Sequence, residues 1–75
     1  MKQIAPRIVV DGKVRFGKPV VEGTRVAVET VVGHVAAGMT VEEIAKAYEI
    51  TREDVLACLS YAARRVAEED VRATG

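Results

Sequence analysis

Thr40–Tyr61, TVEEIAKAYEITREDVLACLSY, carries two helix starts and two apolar stripes, and its reading decides the fold. Thr40 and Glu43 have the spacing of a capping box, in which the threonine oxygen accepts from the third helical amide and the glutamate reaches back to the amide of the cap residue. Thr51 and Asp54 repeat the start signal with a shorter acidic partner. Val41, Ile44, Ala45 and Tyr48 recur at helical spacing, and Val55, Cys58, Leu59, Ala62 and Val66 continue in steps of three and four. Two apolar stripes joined by a tight turn predict a packed corner of the helix-turn-helix kind. Its helices should run from about Val41 to Tyr48 and from Arg52 to about Asp70.

Upstream, Val28, Val31, Val32 and Val35 share one helical face despite their poor helix propensity. A first helix is therefore expected from about Glu29 to Ala37, stopped by Gly38 in the left-handed conformation. Before it, Arg7–Phe16, RIVVDGKVRF, holds the strongest hairpin signal, because Asp11-Gly12 suits a two-residue turn with positive φ. In that register Val10 opposes Lys13 and Val9 opposes Val14, and alternation sends Phe16 to the buried side with Val9 and Val14. Val20-Val21 and Arg25–Val28 could add short strands around the Glu22-Gly23 turn. A lone two-stranded ribbon is marginal in water, so it must pack on the helices or on another chain.

The expected fold is α+β and mostly α: an N-terminal β-hairpin or ribbon followed by a three-helix, helix-turn-helix-like bundle with a long last helix. One domain should span 1–75, with the ribbon and turn over 1–28, the helices over 29–70 and a frayed tail over 71–75. A 75-residue chain buries a small core, which favours self-association. The ribbon and the small residues of the last helix nominate Val9, Val14, Ala62, Ala63 and Val66 as a homodimer interface.

Chemistry-bearing residues are sparse. With one histidine, His34, and one cysteine, Cys58, on an apolar stripe, neither a nucleophilic triad nor a His/Cys metal cluster can be assembled. Gly17 and Gly23 fit no phosphate-loop spacing. The expectation is a protein that is not an enzyme and needs no metal or cofactor. The single cysteine suits a reducing cytoplasm, and no apolar run approaches the roughly 18 residues of a membrane span, so no membrane role is expected.

Charge is zero overall but divided. Residues 1–25 hold six basic groups against two acidic ones, and residues 26–75 hold five against nine, giving +4 and −4. Such polarity suits a basic arm for phosphate and an acidic body for a basic partner. In a helix-turn-helix the start of the second helix enters the major groove, and here it reads Thr51, Arg52, Glu53, Asp54. Arg52 and Thr51 can address base or phosphate, but two carboxylates share their field. Any DNA contact should therefore lean on Lys13, Arg15, Lys18 and Arg25. For Arg25 two readings stand: a guanidinium offered to phosphate by a glycine turn, or an internal ion pair with Glu29 or Glu22.

Three stretches then become familiar: Gly17–Val28 (GKPVVEGTRVAV), Ala37–Ile44 (AGMTVEEI), and Glu53–Ala63 with its Glu53-Asp54-Val55 and Tyr61-Ala62-Ala63. Together they resemble the domain-of-unknown-function family 433, over most of residues 8–63. The specific part is the G-x-P-x-x-x-G-T-R-x-x-V run. The resemblance implies a small helix-turn-helix-like protein with an N-terminal β ribbon, of a kind often like antitoxins encoded beside PIN-like ribonuclease toxins. On that footing the chain is expected to be an antitoxin-like module of a type II toxin-antitoxin pair, neutralising a PIN-like ribonuclease and binding operator DNA as a dimer. A stand-alone transcription regulator and a bare dimerisation or adaptor module remain the alternatives.

Overall fold

The computed structural model describes residues 1–73. Three antiparallel strands, β1 (Lys2–Ala5), β2 (Ile8–Val10) and β3 (Val20–Val21), lie side by side in that order. Three helices follow: α1 (Val28–Ala36), α2 (Val41–Tyr48) and α3 (Arg52–Glu68). The chain is α+β and mostly α.

The helical half follows its sequence pattern closely. Thr40 Oγ1 accepts from the Glu43 amide at 3.1 Å while Glu43 Oε1 accepts from the Thr40 amide at 2.9 Å. Thr51 and Asp54 make the same exchange at 3.0 and 2.9 Å. Each box satisfies two amides that a helix start would otherwise leave without partners. Gly38, at φ +102°, stops α1, and the Met39 amide returns to the His34 carbonyl at 3.0 Å. At the end of α2 no glycine is present, and Glu49 itself takes φ +55°. The amides of Glu49 and Ile50 both return to the Ala45 carbonyl, which turns Ile50 into the core. Burial of an apolar residue just past a left-handed cap is what holds Glu49 in that conformation. α3 ends at Glu68, two residues before the expected Asp70; residues 71–73 carry no helix or strand, and 74–75 of the expected tail lie outside the described residues.

The ribbon departs from expectation. β2 pairs with β1 on one side (Gln3 with Val9, Ala5 with Ile8) and with β3 on the other (Ile8 with Val21, Val9 with Val20). The β1–β2 turn is Pro6-Arg7, where proline presets the first turn position and Arg7 takes φ +68°. Of the expected hairpin only the Asp11–Val14 bridge survives, shifted so that Gly12-Lys13 forms the turn. Asp11 Oδ1 accepts from the Lys13 amide at 3.0 Å, a local bond that competes with the Asp11-Gly12 turn. A three-stranded sheet covers both sides of β2, which a two-stranded ribbon could not.

The sheet separates two cores. Ile8 and Val21 face the helices, where they meet Val28, Val31, Ile44, Val55 and Cys58. Val9 and Val20 face the other way and are covered by Ala27, with Val14 at the margin. Phe16, expected on the buried side, is 98% exposed. The chain reverses direction before reaching it, so the alternation that would have buried it ends at Val14.

Candidate functional site

The Gly17–Val28 run is mostly turn chemistry. Gly23 sits at φ +77°, and the Thr24 hydroxyl donates to the Val21 carbonyl at 2.8 Å while accepting from the Val26 amide at 2.9 Å. Val21 N–H closes the turn on the Val26 carbonyl at 2.9 Å. Gly23 and Thr24 thus build the turn, and Arg25 projects from it, exposed. The internal ion pair considered for Arg25 does not form: Glu29 is bound by Lys18 at 2.7 Å, and that ammonium holds the Glu29 carboxyl below its usual range. Among the described residues Lys13, Arg15 and Arg25 enter no ion pair.

Arg15 and Arg25 belong to one loop cluster, and Lys13 precedes Arg15 by two residues on the same loop. Arg15 Nε donates to the Arg25 carbonyl at 3.0 Å, tying the loop after β2 to the turn after β3. Asp11 and Val14, which flank Lys13, line the same shallow depression as Arg25. Between them the backbone makes a left-handed turn: Arg15 at φ +49°, Phe16 at +56° and Gly17 at +79°. The Gly17 amide returns to the Val14 carbonyl at 3.0 Å and the Lys18 amide to the Arg15 carbonyl at 3.1 Å. A left-handed residue bearing a Cβ costs roughly 1–2 kcal/mol, and neither exposed Arg15 nor exposed Phe16 offsets that by burial.

The start of α3 is differently disposed. Arg52 contacts Glu42 of α2, and the Thr51 hydroxyl is committed to the cap. Asp54 accepts from Arg7 at 2.9 Å, which fastens the β1–β2 turn to the corner. Partial burial alone would push the Asp54 carboxyl up, but the Thr51 amide, the Arg7 guanidinium and the Thr51 hydroxyl together hold it below its usual range. Thr51 and Arg52 are therefore held within the α2–α3 corner, while Lys13, Arg15, Lys18 and Arg25 lie on the loops flanking β3.

A groove of about 580 Å³ runs between α1 and α3, floored by Val28, Val32, Tyr61 and Ala62 and edged by Pro19, Arg65 and Val66. Past Ala62 the remaining α3 residues are exposed. Of the five residues proposed for a dimer interface, Ala62 and Val66 line this groove and Ala63 lies exposed on the same helix. Val9 is a correction: at 3% exposure it is covered within its own chain and has no surface to give a second one. Val14 is half-buried against it.

The isolated titratable side chains are structural. His34 Nε2 and the Tyr48 hydroxyl share a 2.6 Å hydrogen bond between α1 and α2. Cys58 is fully buried, and burial together with the Asp54 charge pushes its thiol up to about 11. Such a thiol is a small apolar core group. Among the described residues no cluster of His, Cys, Asp and Glu could hold a metal ion, and no helix is long and apolar enough to cross a membrane. What the sequence did not point to is the exposed Phe16 turn and the α1/α3 groove. The signal for the first was available in Arg15-Phe16-Gly17-Lys18, an aromatic residue between cations and beside a glycine.

No curated protein matches the chain. The crystal structure of Rv2018 from Mycobacterium tuberculosis matches with a TM-score of 0.64 and 33% identity, over 69% of this chain and 24% of that one. The chain thus spans about a quarter of that protein's length. A profile of the family described as protein of unknown function (DUF433) matches residues 8–62, from the start of β2 to the middle of α3. With most of its length matched, including the turn that presents Arg25, the chain belongs to the DUF433 family.

Proposed function

We propose that the chain is an antitoxin-like module of the cytoplasm that neutralises a PIN-like ribonuclease and binds operator DNA as a homodimer. The observation that carries this reading is the apolar groove between α1 and the outer end of α3, which the folded chain leaves open. Ala62 and Ala63 allow a second helix to approach closely, and Val66, 64% exposed, offers a side chain to fill a facing groove. A second copy related by a two-fold axis covers both grooves at once. A chain whose own core is small gains most from such cover.

The dimer doubles the unpaired cations Lys13, Arg15 and Arg25, giving phosphate affinity that a neutral monomer lacks. Its helical half carries the acidic excess, which suits a nuclease surface made basic by its need to hold RNA. That the matched fold occupies only a quarter of Rv2018 supports a module that works beside further protein. The test is co-expression with the PIN-like ribonuclease that this reading requires an adjacent reading frame to encode, followed by light scattering. The chain alone should run as a dimer at micromolar concentration and join the nuclease in one complex. A monomer that elutes apart from the nuclease contradicts the proposal.

The loop cations Lys13, Arg15 and Arg25, unpaired among the described residues, favour one second reading, a stand-alone regulator with no toxin. It requires salt-dependent binding to the chain's own upstream DNA that weakens in Arg25→Ala while no nuclease is encoded nearby. Absence of any shift at low salt removes it and leaves a dimerisation or adaptor module.

A further inference from the structure

We infer that the loop Val14–Lys18 is a wedge for duplex DNA, with Phe16 entering between base pairs while Lys13, Arg15 and Arg25 hold the phosphates on either side. This rests on the operator-binding part of the function proposed above and specifies how the contact is made.

Phe16 is the chain's only phenylalanine, and at 98% exposure it is more exposed than any other large apolar side chain described. A small domain with few aromatic residues would gain most by placing such a side chain in its core, since aromatic rings carry the largest apolar areas. Here the ring is held outward on a left-handed turn, locked by backbone bonds to Val14 and Arg15 and by the Arg15 side chain on the Arg25 carbonyl. Backbone strain with no burial in return is the mark of a conformation kept for a contact outside the chain. The charge around the ring names that contact. Arg15 adjoins Phe16 and is tied to the Arg25 turn, Lys13 precedes it by three residues, and in the hollow beside it the Glu29 carboxylate is paired with Lys18.

The form of nucleic acid follows from the ring being alone. Single strands are held on successive aromatic platforms, but Tyr48 is bonded to His34 and Tyr61 floors the α1/α3 groove, so neither continues the surface of Phe16. One apolar wedge between cations is instead the device that unstacks a flexible pyrimidine–purine step from the minor groove and kinks the duplex.

The test uses a duplex of about 30 base pairs with central TA and CA steps, labelled at both ends for energy transfer, in about 50 mM salt. Wild-type protein should draw the ends together. Phe16→Ala should fold identically by circular dichroism, bind roughly tenfold more weakly and leave the duplex straight, while Phe16→Leu, still an apolar wedge, keeps the bend. Phe16→Trp gives the chain its sole tryptophan, whose emission should be quenched more by the duplex than by either separated strand. Wild-type affinity and bending in Phe16→Ala overturn the wedge while leaving operator binding intact. Stronger quenching by the single strand also overturns it. Failure of the wild-type protein to bind duplex at low salt overturns both the wedge and the operator-binding reading.

Discussion

Asp54 shows how much of this domain hangs on single side chains. Its carboxylate completes the cap of α3 and receives Arg7 from the sheet, so one residue joins the two halves of the fold. Its folded pKa is depressed, so its contribution to stability is present above the unfolded aspartate value of about 3.9 and is lost as pH falls through the lower folded value. Thermal melts from pH 6 to about 2 should therefore show a steeper acid limb in the wild type than in Asp54→Asn. Equal limbs would deny the linkage. Phe16 offers a second test. Glycine there removes left-handed strain of roughly 1–2 kcal/mol but adds about 0.5–1 kcal/mol of unfolded-state entropy, and no burial is lost. Phe16→Gly should thus be neutral to about 1 kcal/mol more stable in urea melts, and a clear loss would show that the ring packs within the chain. The capping threonines were legible in the sequence because their chemistry is local. The positive φ values of Arg7, Arg15, Phe16 and Glu49 were not, because nothing in those residue types favours the left-handed region.

At the scale of elements, the helices and the ribbon teach opposite lessons. α2 spans the residues its stripe and caps marked, and α3 differs only at its frayed end. The ribbon misled because Asp11-Gly12 is a strong local signal, while the pairing of Val9 with Val20 is set by a contact across the intervening loop. β1, short and mostly exposed, carried no pattern that marked it as a strand. The corrected register has a direct consequence at two glycines. Gly12 lies outside the left-handed region and has open space where a Cβ would stand, whereas Gly23 holds φ +77°. Gly12→Ala should be nearly neutral and Gly23→Ala should cost about 1 kcal/mol in denaturant titrations. The Asp11-Gly12 hairpin would have made Gly12→Ala the costly one.

The whole molecule is long for its mass, 46 × 30 × 19 Å, and α3, about 25 Å from end to end, carries exposed residues beyond Ala62. That shape divides the surface into a cationic loop region around Phe16, an acidic helical body and an open apolar groove. The bihelical corner, which first suggests a DNA reader, has Arg52 tied to Glu42 and Asp54 tied to Arg7 of the β1–β2 turn. It serves better as the scaffold that carries the other surfaces. The sequence disclosed the charge division, because net charge is additive along the chain, but it could not disclose the groove, which exists only once α1 and α3 pack. If the groove is the dimer seam, Val66→Glu should keep its circular dichroism spectrum and convert the dimer to monomer in light scattering. A dimer that persists would place the seam elsewhere.

Whether the chain silences a ribonuclease, as proposed, is read in an RNA cleavage assay. The proposed PIN-like ribonuclease partner is incubated with labelled RNA while the chain is titrated in. Cleavage should fall in proportion to the chain added and stop at a fixed stoichiometric ratio. Undiminished cleavage in the presence of excess chain would show that the chain does not neutralise the nuclease.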